Sequence, residues 1–269
     1  MMPERLVLVR HGESEGNWAK YAERRGEHVF TEEFRSRHSG DYRLTDLGIK
    51  QAQAAGEWLR RYGPETFDEF FVSSYTRAME TAVHLNLPNA RWRVESMIRE
   101  RDYGDIDIMS EVERDRRFHE AMRHHKTHPL RWIPPNGESL LHVCETRIRM
   151  MLDRFHRQHD QDKVVIVAHG EIMWCFRYLL ENMSEERYNE LEHSKDPKDR
   201  IHNCQIIEYS RRDPVSGYLR DKLGYMRSVN PLDTEADAGI WVPIPERQRY
   251  TNETLAALVA QKPRLIPGS

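Results

Sequence analysis

Two segments far apart in the chain share one unusual pattern. Residues 6–13, LVLVRHGE, and residues 164–171, VVIVAHGE, each run from an apolar stretch directly into His-Gly-Glu. Such short β-branched stretches are typical of strands that are covered on both faces of a sheet. Each glycine permits a sharp turn from the strand into a helix. Because central parallel strands end at the same edge of a sheet, His11 and His169 are predicted to lie close together there.

Alternating extended and helical patterns fill most of the remaining chain. The most regular helix is predicted over residues 44–63, with Thr45 as its N-cap and Leu47 on its apolar face. The run FFVSS predicts another strand, and Ser73 or Ser74 is the expected N-cap of the helix that follows. Turn residues in RRDPVSG separate two further extended runs and predict an antiparallel hairpin. This alternation predicts an α/β fold with three α/β/α layers and a mostly parallel central sheet.

Two highly charged segments, at about residues 18–43 and 105–133, are expected to be insertions into this pattern. The second is predicted to form a helical cap. Residues 1–230 are predicted to form the main domain and residues 231–269 a C-terminal surface tail. Both insertions are expected at the rim of a pocket, where their cationic side chains hint at an anionic or multiply phosphorylated ligand: Arg24, Arg25, Arg35, Arg37, Arg123 and His124. Solvated helix faces explain the same side chains equally well.

The charge balance and the cysteines limit the classes of partner. The chain has 41 Lys and Arg against 44 Asp and Glu, a net charge of −3, which argues against nucleic acid or a membrane surface as partner. Its cysteines, Cys144, Cys175 and Cys204, are widely spaced, so they predict reduced thiols and a cytoplasmic location. No apolar stretch reaches the length of about 18 residues that indicates a membrane span.

Charged groups converge on the sheet edge where the two histidines are expected. Arg10 directly precedes His11, and Arg77 falls in the first turn of the helix after FFVSS. Guanidinium groups bind phosphate oxygens in a bidentate manner, and helix N-termini favour anions. Two arginines, two histidines and several helix N-termini around one point predict a pocket for a dianionic phosphoryl group.

The chain resembles the histidine phosphatase superfamily, the phosphoglycerate mutase-like proteins. The segments VRHGESEGN, SSYTRAMET, RERDYG, PPNGES and VAHGE occur in the order seen in that superfamily, and the similarity covers roughly residues 5–230. The segment ENMSEE is also similar to the phosphoglycerate mutase branch. The resemblance implies a phosphoglycerate mutase-like fold and makes residues 1–230 a catalytic domain.

The resemblance also implies a role for each matching residue. His11 would be the nucleophile that forms a phosphohistidine, and Glu100 in RERDYG the general acid/base. Imidazole is largely neutral near pH 7, and a carboxyl group in a closing pocket can keep its proton. The residues expected to bind the phosphoryl group are Arg10, Arg77 and His169. The further substrate-binding residues expected are Asn17, Gly170 and Arg101. No metal or cofactor is expected, because the arginines supply the positive charge.

Three functions follow from this resemblance. Glycolytic mutases of the family carry a Phe-x-Gly-Trp stretch shortly after the position of Asn17, which keeps water away from the phosphohistidine. Here a longer, charged segment replaces it, so phosphomonoester hydrolysis is the first expectation and mutase-type transfer the second. The third is a catalytically idle binding protein, although none of the key residues is lost. The expected partner is a small phosphorylated substrate, and a homo-oligomer is left open.

Several other residues near these motifs are weaker candidates for the site. Glu13 and Glu171 follow the two glycines and are expected mainly to complement helix N-termini. Tyr103 is either a pocket or a surface residue, and His202 and Asn203 are candidates to approach the pocket. Trp174 is assigned to the core. The histidine-rich run HEAMRHHKTH lacks the spacing of a zinc site and is expected to be a solvated helix.

Overall fold

A computed structural model describes residues 1–233 and 239–266 of the protein. Within these residues seven strands form one sheet: β1 (Arg5–Arg10), β2 (Glu69–Ser73), β3 (Trp92–Glu95), β4 (Lys163–Ala168), β5 (Ile206–Ser210), β6 (Tyr225–Val229) and β7 (Val242–Pro243). Their order across the sheet is β3-β2-β4-β1-β5-β6-β7. Strands β3, β2, β4 and β1 are mutually parallel, and β5 to β7 add antiparallel strands at one side.

The two strands that carry the repeated pattern are direct neighbours. Strands β1 and β4 pair in parallel from Arg5 and Lys163 to Arg10 and Ala168. The residue after each strand therefore emerges at the same edge of the sheet. The predicted mostly parallel sheet is confirmed. Strands β5 and β6 form the predicted antiparallel pair, although β6 begins only at Tyr225, near the end of the extended run predicted over residues 217–226.

Helices cover both faces of the sheet. In chain order they are α1 (Glu15–Arg24), α2 (Glu32–Ser36), α3 (Asp46–Tyr62), α4 (Thr76–Leu85), α5 (Glu111–Arg117), α6 (His119–Thr127), α7 (Leu140–Val143), α8 (Arg149–Gln158), α9 (Gly170–Leu180), α10 (Glu185–Glu192) and α11 (Asn252–Ala260). A π-helical segment, Cys144–Ile148, joins α7 to α8. Short 3-10 helices occupy Ser39–Asp41, Ser96–Ile98, Gly104–Ile106 and Pro197–Asp199. No helix among the described residues is both long enough and apolar enough to cross a bilayer.

The alternation of side chains along the central strands explains the three layers. Leu6 and Leu8 of β1 belong to an apolar cluster that includes residues of α8 and α9. Val7 and Val9 belong to a second cluster, which includes residues of α3 and α4. Successive side chains of a strand point to opposite faces, so a strand that is apolar at every position has to be covered on both sides.

Helix α3 matches its predicted bounds, and its predicted buried face fails at one position, Leu47. The hydroxyl of Thr45 accepts a hydrogen bond from the backbone N–H of Gly48, as expected of an N-cap. Leu47, however, is exposed, so its assignment to the apolar face is wrong. Small residues, among them Ala52 and Gly56, make the buried contact because the backbones of α3 and α4 approach closely.

The first insertion forms α1 and α2, and the second forms α5 and α6 without a strand, as its pattern predicted. Ion pairs join the two insertions: Arg24 to Glu111 at 2.5 Å and Arg35 to Glu113 at 2.8 Å. The insertions therefore contact each other.

The segment expected to be a surface tail contributes to the sheet. Strand β7 pairs with β6, and the centre of the Trp241 ring lies 4.9 Å from the guanidinium carbon of Arg5 and 4.7 Å from that of Arg227. Helix α11 is exposed along its length. The domain boundary at residue 230 stays a prediction.

Candidate active site

The sheet edge brings the two predicted histidines into contact. The backbone N–H of His11 donates to the carbonyl oxygen of Ala168 at 2.9 Å, so the pairing of β1 and β4 continues to the turn. The imidazole rings of His11 and His169 lie 5.1 Å apart between centroids in an edge-on arrangement. Asn203, a candidate from the sequence, donates from its side-chain amide to the carbonyl oxygen of His11 at 3.1 Å.

Hydrogen bonds fix the tautomer of His11. Its Nδ1 lies 2.7 Å from the carbonyl oxygen of Gly12, which can only accept, so Nδ1 carries the proton. Nε2 then carries the lone pair, and it accepts from Nε of Arg77 at 3.1 Å. Burial and the charges of Arg77 and Arg10 hold the pKa of His11 well below its usual value. The ring is therefore a neutral imidazole with a nucleophilic Nε2.

Gly12 is required by the space around the turn. A Cβ at this position would overlap the carbonyl oxygen of Gly48 in α3. The N–H of Gly12 donates to the hydroxyl of Thr81 at 3.0 Å, and that hydroxyl donates to the carbonyl oxygen of Arg77 at 2.7 Å. Thr81 thus ties the turn of His11 to the helix of Arg77. Sequence reasoning missed it, although it follows Arg77 by one helical turn.

His169 is fully buried and is not itself among the residues that line the cavity, although its neighbour Gly170 is. Its Nε2 lies 2.7 Å from the hydroxyl oxygen of Ser73, and its Nδ1 lies 4.0 Å from a carboxylate oxygen of Glu100. Burial and the nearby Arg77 hold the pKa of His169 well below its usual value. The predicted capping role of Ser73 and Ser74 is wrong, because Tyr75 occupies the N-cap of α4 and no side chain caps that helix.

Both predicted arginines border the cavity. Arg10 donates from Nη1 to the carbonyl oxygen of Ile201 at 2.6 Å, and its Nε has no hydrogen-bond partner. Arg77 donates from Nη1 to the carbonyl oxygen of Ser39 at 2.8 Å, besides its contact with His11. Each guanidinium therefore keeps N–H groups that are free for an incoming anion.

Glu100 also lines the cavity. One of its carboxylate oxygens accepts from the backbone N–H of Arg101 at 2.9 Å. Burial and the neighbouring Glu171 raise the pKa of Glu100. A raised pKa is what a group needs if it is to donate a proton near neutral pH.

The two glutamates of the repeated pattern differ in their surroundings. Glu171 accepts from the hydroxyl of Tyr103 at 3.0 Å and lies 3.6 Å from Nη2 of the buried Arg101, all three beside the cavity. Glu13 accepts from the hydroxyl of Thr45 at 2.7 Å and is not among the cavity residues. Only Glu171 is placed to touch a ligand.

Comparison with known proteins identifies the family. The sequence model described as histidine phosphatase superfamily (branch 1) matches residues 6–215. The chain belongs to this superfamily. It is 31% identical over 199 residues to a 2,3-bisphosphoglycerate-dependent phosphoglycerate mutase of Methylorubrum populi, covering 71% of this chain and 85% of the relative. A relative of the same name from Bartonella bacilliformis is 32% identical over 193 residues, covering 69% of this chain and 85% of the relative.

Solved structures share the fold. A mycobacterial glucosyl-3-phosphoglycerate phosphatase in complex with VO3 has a TM-score of 0.60 at 21% identity, covering 91% of this chain and 100% of that chain. A putative alpha-ribazole-5'-P phosphatase from Escherichia coli has a TM-score of 0.60 at 21% identity, covering 82% of this chain and 96% of that chain. The predicted phosphoglycerate mutase-like architecture is confirmed.

In this member of the superfamily the cavity has a volume of about 320 Å³. Phe30, Phe34 and Tyr42 of the first insertion line it, together with Ile108 of the second. The predicted position of the insertions at the pocket rim is therefore confirmed for these residues. Trp174 belongs to the apolar core cluster, as predicted, and also lines the cavity.

Lys20 is a further cavity residue that sequence reasoning missed. It lies on α1, and its ammonium group is 5.9 Å from the centre of the Tyr103 ring. Burial and the charge of Arg114 lower the pKa of Lys20. Its position one turn beyond Asn17, another cavity residue, is a signal that could have identified it.

The cationic side chains of the insertions do not form an anion site. Five of them pair with carboxylates: Arg24 with Glu111, Arg25 with Glu27, Arg35 with Glu113, Arg37 with Glu15 and Arg123 with Glu120. His124 stacks on His128. None of the six is among the residues that line the cavity. The structure favours the interpretation as solvated helix faces.

The described residues contain one group of three side chains that could hold a metal ion: Glu69, His159 and Asp162. Glu69 begins β2 and Asp162 directly precedes β4, so the group lies at the amino ends of the strands, opposite to His11. It includes none of the histidines of HEAMRHHKTH. Glu69 is ion-paired with Arg93 at 3.0 Å.

Proposed function

We propose that the protein hydrolyses small phosphomonoesters through a phosphohistidine on His11. The observation that carries this proposal is the neutral His11 imidazole in the cavity wall, with its lone pair on Nε2 and two arginines beside it. Nε2 attacks phosphorus, the bond from phosphorus to the leaving oxygen breaks, and the phosphoryl group moves to the ring. The Nδ1–H bond to the carbonyl oxygen of Gly12 stabilises the positive charge that develops on the imidazole.

The arginines provide the charge stabilisation that phosphoryl transfer needs. As phosphorus approaches Nε2 of His11, the phosphoryl oxygens replace that nitrogen as acceptor for Nε of Arg77. The Nε–H of Arg10, which has no partner in the free site, is available to the same oxygens. Fixed donors that face developing negative charge are the main catalytic device in this reaction class.

Glu100 serves both steps of the reaction. In its protonated form it donates to the leaving alcohol oxygen, and as a carboxylate it then takes a proton from the water that attacks phosphohistidine. Its raised pKa favours the protonated form at the start. The predicted cytoplasmic location and the small phosphorylated substrate belong to the same proposal.

Mutase-type phosphoryl transfer is the second candidate, because two observations favour it. The relatives at 31% and 32% identity are named phosphoglycerate mutases, and the rings of Phe30, Phe34 and Tyr42 cover part of the cavity. Hydrolysis remains first because the chain lacks the Phe-x-Gly-Trp stretch of glycolytic mutases. Incubation with 3-phosphoglycerate and a trace of 2,3-bisphosphoglycerate separates the two: free phosphate supports hydrolysis, and the 2-isomer supports transfer.

An assay with p-nitrophenyl phosphate in excess EDTA tests whether the site is catalytic. Wild type and His119→Ala, an exposed histidine outside the cavity, are expected to turn over substrate, and His11→Ala is expected to lose turnover. Wild type exposed to labelled substrate and quenched in alkaline detergent should carry a phosphate that is stable to base and labile to acid. Equal turnover in His11→Ala contradicts the proposal, and no turnover of any phosphomonoester by wild type supports an idle binding protein.

A further inference from the structure

Ser73 is a buried polar residue that the mechanism above does not use. It is the last residue of β2, next to β4 in the sheet, and its side chain is fully buried. Its hydroxyl oxygen lies 2.7 Å from Nε2 of His169 and 3.3 Å from the backbone nitrogen of Tyr75. A buried hydroxyl in contact with a site imidazole can determine which ring nitrogen carries the proton.

The hydrogen-bonding capacity of the hydroxyl decides between the two tautomers. A serine hydroxyl has one proton to donate and can accept two hydrogen bonds. The N–H of Tyr75 donates to it, since a backbone nitrogen cannot accept. If Nε2–H of His169 also donated, the Ser73 proton would have no acceptor among residues 1–233 and 239–266. If Ser73 instead donates to Nε2, its proton has an acceptor, and of these groups only the second ring nitrogen of His169 is left without a partner.

The second ring nitrogen of His169 then carries the only proton of the imidazole. Burial and the nearby Arg77 hold the pKa of His169 well below its usual value, so the ring is neutral. Nδ1 is buried and has no hydrogen-bond partner, and it lies 4.0 Å from a carboxylate oxygen of Glu100. The free protein thus holds an unused N–H donor on the side of the ring that faces Glu100.

We propose that Ser73 is a positioning residue that holds His169 as the Nδ1–H tautomer, a donor for an oxygen of the phosphoryl group. This inference rests on the proposed function, because it needs an oxyanion between Glu100 and the two imidazoles. In the opposite tautomer Nδ1 would present a lone pair to that oxygen, and the two would repel each other. A donor without an acceptor in the free site is satisfied when the anion binds.

Long-range ¹⁵N NMR of the histidine rings measures the tautomer without reference to activity. In wild type, His169 is expected to show a protonated Nδ1 and an unprotonated Nε2. In Ser73→Ala the Nδ1–H signature is expected to weaken in favour of the other tautomer. Ser74→Ala removes the same hydroxyl from the neighbouring exposed residue and is expected to match wild type. A wild-type His169 with its proton on Nε2 overturns the inference.

Kinetics with p-nitrophenyl phosphate test the consequence for the reaction. Ser73→Ala is expected to lower kcat about 10- to 100-fold, by analogy with the loss caused when the hydrogen-bond partner of a metal-ligating histidine is removed, with unchanged Tm. Ser73→Thr retains the hydroxyl and is expected to keep both the tautomer and most of kcat, and Ser74→Ala is expected to match wild type. The inference is contradicted if Ser73→Ala has the same kcat as wild type. It is also contradicted if Ser73→Thr keeps the Nδ1–H tautomer but loses most of kcat.

The two experiments also separate this inference from the proposed function. If wild type is active but carries the His169 proton on Nε2, the proposed hydrolysis is supported and the proposed role of Ser73 is contradicted. An inactive wild type whose Nδ1–H signature depends on Ser73 supports the tautomer assignment and contradicts hydrolysis.

Discussion

The two His-Gly-Glu turns share three residues and a preceding strand, yet the protein uses them differently. After His11 the chain continues as an irregular turn, and α1 begins only at Glu15. His169 is itself the N-cap residue of α9, which begins at Gly170. The first turn has to fit closely against α3, whereas the second enters a helix at once. Identical local sequence therefore does not fix the local backbone, because each turn packs against different elements.

The hydrogen bonds of the two rings follow from this difference. The carbonyl oxygen of Gly12, within the first turn itself, holds the proton of His11 on Nδ1 and leaves Nε2 at the cavity wall. His169 is instead held at Nε2 by Ser73, from a different strand. One ring thus offers a lone pair and the other is set to offer a proton, which is the division of labour expected of a nucleophile and a donor.

Removal of each imidazole tests this division and has the largest expected effect. His11→Ala is expected to reduce kcat/KM for p-nitrophenyl phosphate by roughly 10⁴-fold or more, since no other side chain supplies the nucleophile. His169→Ala is expected to cost about 10²-fold, the value of one lost donor to the transition state. Steady-state kinetics with both variants measure the ratio. Equal losses, or a phosphoenzyme trapped in His11→Ala, would remove the distinction between the two turns.

The carboxyl group of Glu100, which lies beside His169, makes the catalytic activity depend on pH. Because burial and Glu171 raise the pKa of Glu100, its acid form persists to higher pH, and kcat/KM should fall as pH rises through that raised value. The pKa of His11 is lowered, so Nε2 stays unprotonated and activity should persist well into the acidic range.

Glu100→Gln is expected to remove the alkaline limb of this profile and to slow an alkyl phosphate by about 10²- to 10⁴-fold. In kcat/KM, which reports the transfer to His11 and not the later attack of water, the loss should be much smaller with p-nitrophenyl phosphate, because p-nitrophenolate leaves without a proton. Rates for both substrates across pH measure this. Losses of the same size for the two substrates would show that Glu100 does not protonate the leaving group.

Gly12 and Gly170, the glycines of the two turns, form a matched pair for measurements of stability. Gly12→Ala places a Cβ against the carbonyl oxygen of Gly48 and is expected to lower the free energy of unfolding by about 1–3 kcal/mol. Gly170→Ala meets only ordinary contacts, at 3.5 Å or more from the Arg10 side chain, and is expected to stay within about 0.5 kcal/mol of wild type. Urea unfolding measures both. If Gly170→Ala were destabilised and Gly12→Ala unaffected, the turn at Gly170, and not the turn at Gly12, would be the closely packed one.

Substitution of Glu171 and of Glu13, the last residues of the two turns, is expected to give the smallest difference in KM and stability. Glu171→Gln alters a cavity residue that accepts from Tyr103 and neighbours Arg101, so KM is expected to change several-fold at constant stability. Glu13→Gln keeps an acceptor for the hydroxyl of Thr45 outside the cavity, so KM should be unchanged and stability should vary by about 0.5 kcal/mol at most. KM and unfolding measurements on both variants decide whether only the second glutamate faces the ligand.

The failures of sequence reasoning fall where residues far apart in the chain meet. Ser73 was expected to cap a helix, a local role, because its contact with His169 is made across two strands. Leu47 was placed on the buried face of α3, although the close approach of α3 and α4 favours smaller residues there. Strand β3 and the two-residue β7 were not predicted, since each is defined by its pairing partner rather than by a pattern of its own.

The sequence by itself determined the parallel α/β core, the meeting of His11 with His169 and the family, because buried strands and their turns leave periodic and repeated signals. Only the tertiary structure decided how the site is organised: the tautomer of His11, the contact of Ser73, and the pairing of the insertion arginines with carboxylates away from the cavity. The physical reason is that hydrogen-bond partners and counter-ions are chosen by distance in space. Residue type sets what a side chain can do, and its neighbours select which of those capacities it uses.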